Sequence, residues 1–521
     1  MIKIQANEIR LEDLFKRLLN NDIPDESDFI EYKKGLNSLS EDLWKTFSAF
    51  GNGHGGIIIC GVEEKRNKKG LTVDYKITGV NDSHKQEEDF WSKIRSSTKF
   101  KNLSWINNDS FIKKNINGKT LLFIDVKEAL PEEKPVNIGS SIAESYLRHG
   151  THDDRMTGDE LRTFLLDTSL NMDNKVLKNY GIDELNEESI NEYRTWLLKN
   201  SKLKHLAVEV DNKKFLEKIG AVVKDPQTGD MGITYGALLF LGNRSAITQV
   251  FSSFQLDYID KSDVSNKRYI RRITSLIDVE NVFQFYIRVM DVIRNTPQPF
   301  ELNENQVRND GDDGFVVALR EALVNCLMHA NYFLSNKHIL IEKRMNNYMF
   351  SNPGTMLVSS ESFFTKTESI SRNSALSKFF VMMGAGERVG TGGTVIKDIA
   401  INNNLKFPEL DRKEFETNIT IWEVDYVDTL NDADLDNKDK AILKAITKSI
   451  ILSRHEIEIK TNLTQKEVQS RLKKLRNKRY IEMSGSGRSV RYTLPIDDEQ
   501  IIALSQKNTE LIRRTLSSKN K

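Results

Sequence analysis

Cysteine is almost missing from this chain. Its two, Cys60 and Cys326 among 521 residues, lie inside apolar stretches and read as packed thiols, not as a disulfide or a metal site. Long apolar runs are missing too. None approaches the ~20 residues that cross a bilayer, so no membrane partner is expected. The N-terminus, MIKIQANEIRLEDLF, is too charged for the apolar core of a secretory signal, and a cytoplasmic location is the simplest expectation. An excess of one charge sign is also absent. Against 76 basic residues stand 75 acidic ones, a net of +1, which excludes a global pull toward nucleic acid or membrane; any basic surface must be local. No internal repeat and no low-complexity tract stands out. What remains is an ordinary globular composition, 38% apolar and 29% charged. The length suits roughly three to four domains.

The first chemically informative stretch runs from Glu26 to Glu64, ESDFIEYKKGLNSLSEDLWKTFSAFGNGHGGIIICGVEE. Glu26 and Glu31 precede a helix expected over Leu43 to Phe50, and Lys33 follows Glu31 by two positions. A Gly-rich turn, Gly51 to Gly56, leads into the apolar run Ile57-Ile58-Ile59-Cys60, and Glu64 lies just beyond it. A strand–helix–turn–strand unit brings the start of one segment beside the end of another. Three carboxylates converging there would bind a hard divalent cation, Mg²⁺ or Mn²⁺, able to activate water and neutralise a phosphate. On spacing alone, charged residues at strand ends are equally read as solvated.

These residues carry a resemblance. Glu26, Glu31-Tyr32-Lys33, Ser48-Ala49-Phe50-Gly51-Asn52, Gly55-Gly56 and Gly61-Val62-Glu63-Glu64 resemble the motif of the Schlafen-type AlbA-like domain. Gly51 stands where that family has Ala, and Glu64 where it usually has Asp. In nuclease members the matching acidic residues form a metal-dependent RNase site, which implies Glu26, Glu31 and Glu64 as catalytic metal ligands here, with Lys33 beside them. Further on, Ser110 to Ile116 and Thr120 to Val126 read as strands around an Asn117-Gly118 hairpin turn. Pro135-Val136, Ser145 to Arg148 and His149 to Thr157 resemble the closing part of the same domain. Arg148 and His149 either hold phosphate beside the acidic cluster or make a structural salt bridge.

Residues 170–310 carry no chemistry that can be named, though Gly232 to Leu241 resembles a joining segment of bacterial relatives and Leu276 to Asn295 reads as a long helix closed by Pro297 and Pro299. From Gly314 the character changes. In GFVVALREALVNCLMHANY, Glu321, Asn325 and His329 are spaced four apart, which aligns them on one helix face, with Val316, Leu319, Leu323 and Leu327 opposite. An asparagine can hold magnesium, and a glutamate one turn earlier can orient water. The polar edge can equally face solvent. The segment resembles the GHKL-type ATP-binding fold in a divergent form. Its motifs read Arg320 to Cys326 with His329, then Asn352-Pro353-Gly354, then Arg372-Asn373, then Gly384 to Gly392 (GAGERVGTG) leading into a helix over Thr394 to Ile401. The resemblance implies that ATP is bound by Glu321, Asn325, His329, Asn352, Gly354, Gly386, Gly390 and Gly392, with Asn325 on the metal. Glycine-rich turns let backbone N–H groups approach phosphate oxygens. Ala330-Asn331 replaces the Arg-Asp usual after the histidine, and Asn352 stands near the place of the usual adenine-reading Asp.

Between Lys438 and Pro495 lie 15 basic and 5 acidic residues. Three short helices and a two-stranded wing are expected there, the winged helix-turn-helix pattern, with Lys466, Arg471, Lys473, Lys474 and Arg488 as phosphate contacts. The expected class is α/β multidomain: an α+β AlbA-like domain over 1–168, a connector over 169–300, a GHKL-like α/β sandwich over 301–428, a winged helix over 437–496, and a tail. The leading functional expectation is a nucleotide-regulated, metal-dependent nuclease on RNA, of a kind that suits anti-phage defence, acting as a homo-oligomer. The alternatives are an ATP-sensing, DNA-binding transcriptional regulator without catalysis, and a nucleic-acid-remodelling ATPase driven by Glu321.

Overall fold

The computed structural model describes residues 11–493 except 67–71, 97–99, 101–102, 104, 131–132, 201, 209–210, 263–267, 297–313, 336, 359, 366–369, 387–390, 404, 414, 425–426, 428–433, 450–451, 479 and 485–489. Gly390 and Arg488 lie outside the described residues.

The N-terminal body is built on a parallel pair. Strand Ile30–Lys33 runs beside Gly56–Cys60, and helix Glu41–Asn52 makes the crossover between them. The antiparallel strands Lys119–Val126 and Phe111–Ile116 complete a four-stranded sheet. Their turn is Asn117-Gly118, both at positive φ (51° and 82°), the conformation a tight two-residue hairpin requires. The apolar run obeys the two-residue period of a strand buried on both faces. Ile58 and Cys60 pack with Trp44, Phe47, Phe50 and Phe90 under the crossover helix. Ile57 and Ile59 pack on the other face with Leu14 and Leu18 of helix Leu11–Leu19. The antiparallel strands Val62–Arg66 and Thr72–Ile77 form a hairpin at the end of this unit.

Asn52 closes the body. Its amide oxygen accepts from Val136 N at 2.7 Å, and its Nδ2 donates to the carbonyls of Val136 (3.1 Å) and Tyr146 (3.0 Å), tying the helix end to the segments that follow the sheet.

The second body is a six-stranded mixed sheet in the order Arg271–Thr274, Leu256–Lys261, Ile339–Arg344, Asn347–Pro353, Glu416–Trp422, Glu409–Lys413. A domain boundary was expected near residue 300, but strand Leu256–Lys261 pairs in parallel with Ile339–Arg344 across it. One continuous core therefore runs from Leu177 to Ile421. The cause is non-local: each strand pairs on one edge with its sequence neighbour, Arg271–Thr274 or Asn347–Pro353, and its other edge finds a partner about 80 residues away. Helices Tyr235–Leu241, Val282–Asn295, Gly314–His329 and Ser374–Met382 supply apolar side chains to this core.

The C-terminal body has helices Asn437–Ser449, Arg454–Thr461 and Gln465–Asn477, then a two-stranded antiparallel pair, Glu482–Ser484 with Arg491–Thr493. Ser453 and Thr464 each cap their helix in a reciprocal box with Glu456 and Glu467. Separate cores thus sit in the three bodies of an α/β multidomain chain, with one apolar cluster on each face of the N-terminal sheet.

Candidate functional site

The crossover places the three glutamates of the first motif together. Glu31 lies in the first parallel strand, opposite Ile58 of the second. Glu64 lies in the hairpin strand that follows the second, opposite Tyr75. Glu26 precedes the first strand; its backbone N–H donates to the Tyr75 hydroxyl at 3.2 Å, and its Oε1 accepts from Tyr32 N at 2.9 Å. The Glu26 carboxyl is pushed up to about 8, first by burial, then by the Glu31 charge, and further by a hydrogen bond to and the charge of Glu64. Burial acts first, and the two neighbouring carboxylates add to it.

Two cations answer that crowding. Lys33 Nζ lies 2.6 Å from Glu31 Oε1, and Arg148 Nη2 lies 2.8 Å from Glu31 Oε2. Arg148 also pairs with Asp153 at 2.9 Å and donates to the carbonyl of Ser27 at 2.9 Å. It therefore makes the salt bridge to the acidic cluster, while exposed His149 faces Asp154 at 3.3 Å instead. With both Glu31 oxygens engaged, no three His, Cys, Asp or Glu side chains among the described residues are set around one point as a metal ion requires. The donor chemistry nevertheless suits a hard cation. All six atoms are carboxylate oxygens, and the repulsion that raises Glu26 is what a divalent charge would relieve.

The second motif builds a pocket. Asn325 and His329, one turn apart on helix Gly314–His329, line a cavity of about 110 Å³ with Asn352 and Thr417. Asn352 and Thr417 face each other across paired strands. The remaining walls are largely apolar, among them Met356, Phe363, Ile396 and Ile419. Gly392 opens helix Gly392–Asn402 directly against this face: a Cβ there would meet Asn325 Nδ2 at 2.4 Å and Glu321 Oε1 at 2.5 Å. Glycine lets that helix N-terminus sit so close to the polar line without moving the Asn325 and Glu321 side chains. Gly354 turns the chain at φ 104° after Asn352-Pro353, and Gly386 packs on Val324. The segment 387–390, which joins Gly386 to this helix, lies outside the described residues. Thr417 has no counterpart in the sequence reading. Its strand partner Asn352 could have pointed to it, once the register was known.

Arg372-Asn373 is structural. Asn373 Nδ2 donates to the carbonyls of Met328 (2.9 Å) and Ala330 (2.6 Å), closing the helix that carries His329. Arg372 Nε donates to the His329 carbonyl at 3.1 Å. Burial, with a smaller push from Arg372, lowers the His329 imidazole to about 4. The folded protein then binds fewer protons than the unfolded chain between about pH 6.5 and 4. The stability is complete above that window and is lost as pH falls through it. His329→Gln is expected to flatten this acid limb, so that the wild type loses on the order of 3 kcal/mol more than the variant between pH 7 and 4. Urea melts at both pH values check it, and parallel losses would contradict it.

The five basic candidates of the C-terminal body separate. Lys466 and Lys473 are exposed on helix Gln465–Asn477. Arg471 and Lys474 on the same helix turn inward. Arg471 Nη1 lies 2.5 Å from Asp436 and 2.6 Å from Asp439, and Lys474 Nζ lies 2.6 Å from Asp439. Asp439 is fully buried, and a buried carboxylate needs a countercharge. These two cations hold the helices together instead of facing a ligand.

Comparison with known proteins bears on the first of these sites. Residues 26–157 match the family model described as Schlafen, AlbA_2. Residues 162–257 match a model described as a domain of unknown function, DUF8451. Among solved structures, the DIP2311 protein from Corynebacterium diphtheriae aligns over 95% of this chain and 98% of its own, at 13% identity and a TM-score of 0.38. The N-terminal domain of a RecG-related protein from Nitrosomonas europaea aligns over 27% of this chain and 93% of its own, at 27% identity and a TM-score of 0.21. No curated protein matches the chain. The Schlafen, AlbA_2 match begins at Glu26 and takes in Glu31, Glu64 and Arg148, so the whole acidic cluster and its cation fall inside it. Among the described residues no helix is long and apolar enough to cross a membrane.

Proposed function

We propose that the chain is a nucleotide-regulated, metal-dependent nuclease acting on RNA. The observation that carries this reading is the convergence of Glu26, Glu31 and Glu64 from three separate segments, with the Glu26 carboxyl raised to about 8 by burial and then by these neighbours. Glu26, Glu31 and Glu64 would hold Mg²⁺ or Mn²⁺, which supplies Lewis acidity and a water activated near neutral pH. Lys33 and Arg148 place fixed positive charge beside the same carboxylates and suit a polyanionic substrate. The pocket lined by Asn325, His329, Asn352 and Thr417 would take ATP, with Asn325 and Glu321 toward its metal and the Gly392 helix N-terminus toward its phosphates. Lys466 and Lys473 offer phosphate contacts on the C-terminal body. A nucleotide-controlled destructive activity suits defence against phage inside the bacterial cytoplasm, and a homo-oligomer suits the ATP-binding part.

The test is cleavage of total cellular RNA, tRNA included, with Mn²⁺ or Mg²⁺ and with or without ATP. Glu26→Ala/Glu31→Ala is expected to lower cleavage by at least a hundredfold while keeping the circular dichroism spectrum and ATP binding. Equal cleavage by wild type and variant would overturn the nuclease reading.

A second reading is favoured by one observation: both Glu31 oxygens already have cation partners, as in a purely structural ion-pair network. The chain would then be an ATP-sensing DNA-binding regulator. It would bind a specific duplex with affinity that survives loss of Glu31 and falls on Lys466→Ala/Lys473→Ala.

A further inference from the structure

A larger cavity than the Asn325 pocket lies where the N-terminal body meets the mixed sheet. Its volume is about 300 Å³, at the lower end of the range for small-molecule sites. Phe29 and Phe50 line it from the N-terminal body, Phe164 from helix Gly158–Thr168, and Phe415 from the loop before strand Glu416–Trp422. Aromatic walls of this kind accept a planar ring.

The same cavity is lined by Arg148, Lys134 and Arg412, drawn from both bodies. Glu128 sits among them, 2.9 Å from Lys134 and 2.7 Å from Arg412, with His54 at 3.9 Å. Two further carboxylates line it: exposed Asp28, and Asp167, which is paired with Arg372. The side chains of Arg148 and Arg412 are 5% and 8% exposed, yet the Nε–H of each is buried without a hydrogen-bond partner. A buried guanidinium donor left unmatched costs about 1–3 kcal/mol, so two on one cavity need explaining. An unpaired guanidinium N–H is a charged donor that matches a phosphate oxygen.

We propose that this junction cavity is a second ligand site, separate from the Asn325 pocket, for a nucleoside monophosphate. The base lies among the phenylalanines, and the phosphate takes the free donors of Arg148 and Arg412. The two cavities share one wall, Thr355, Met356 and Leu357, so a ligand in either touches the segment that bounds the other. The assignment does not depend on whether the three glutamates cut RNA.

Isothermal titration of the full chain with AMP, GMP, CMP, UMP and inorganic phosphate tests it. At least one nucleotide is expected to bind at least tenfold tighter than phosphate. Arg412→Gln removes a guanidinium. Thr168→Trp fills the cavity from the end of its helix without removing any charge, so it tests the site even if Arg412→Gln weakens the junction; its thermal melt confirms folding. Each is expected to weaken binding at least tenfold. No binding by any of the five compounds would overturn the proposal, as would phosphate binding as tightly as the nucleotides. Binding kept in Thr168→Trp but lost in Asn325→Ala would move the ligand to the other pocket and overturn it as well.

Discussion

Replacing Arg372 by methionine is expected to lower the stability of the mixed-sheet body by about 3–5 kcal/mol, the cost of breaking a buried ion pair from one side. The Arg372 and Asp167 side chains are 3% and 4% exposed and 3.3 Å apart. Arg372 also donates to the carbonyls of Asp167, Thr355 and His329. Methionine fills similar volume but leaves a buried carboxylate and three carbonyls without this partner. Asp167 is further engaged, accepting from Thr355 N at 3.1 Å through both oxygens. Asp167→Asn should therefore cost less, since the amide oxygen still meets that N–H and the Arg372 guanidinium, though it loses its counter-ion, keeps the carbonyls of Asp167, Thr355 and His329 as acceptors. The double variant should cost less than the two singles added, because the pair is one interaction. Urea unfolding with probes in each body measures this, since a chain of several bodies with separate cores need not unfold in one step. Strict additivity would mean that the two residues act separately. Thr355 also lines both cavities, and Arg372 holds the His329 carbonyl, so Arg372→Met is expected to weaken ATP binding although it changes no side chain of that pocket.

That coupling shows where the sequence was readable and where it was not. Glu321, Asn325 and His329 were found because helical spacing alone puts them in line, and Gly392 came with the glycine-rich loop. That Glu26, Glu31 and Glu64 come together, 38 positions from first to last, was legible from the strand–helix–turn–strand order, because a crossover forces its ends together; a catalytic role for them was implied only by the family resemblance. The Asn117-Gly118 turn was legible because few residues accept positive φ twice in succession. Other features had no local mark. Glu128 and Arg412 meet across 284 residues and belong to different bodies, so no periodicity connects them. The parallel pairing of Leu256–Lys261 with Ile339–Arg344 is equally silent in the sequence and erased the boundary expected at 300. In the C-terminal body, counting charges found a basic segment. It could not show that Asp436 and Asp439 of the linker and first helix draw Arg471 and Lys474 out of the basic face. Charge composition reports a surface only after the internal pairs are removed.

Arg148→Met joins stability to the acidic site and separates its two readings. The guanidinium holds Glu31 and Asp153, donates to the Ser27 carbonyl, and lies 5.2 Å over the Phe50 ring. Its loss leaves two mostly buried carboxylates short of a cation, so the N-terminal body should lose about 3–5 kcal/mol in the absence of metal. Lys33 remains beside Glu31, but the repulsion among Glu26, Glu31 and Glu64 rises. A divalent cation entering that cluster would replace the missing positive charge. Mn²⁺ is therefore expected to raise the melting temperature of Arg148→Met more than that of the wild type, and to release protons on binding near pH 7, where Glu26 is still largely protonated. Differential scanning fluorimetry over a Mn²⁺ series, with the titration repeated in two buffers of different ionisation enthalpy, measures both. If the glutamates form only a structural ion-pair network, Mn²⁺ will shift neither protein and no protons will appear. If they form a cation site, Arg148 competes with the metal for Glu31, and the variant that is weaker alone becomes the more strongly rescued.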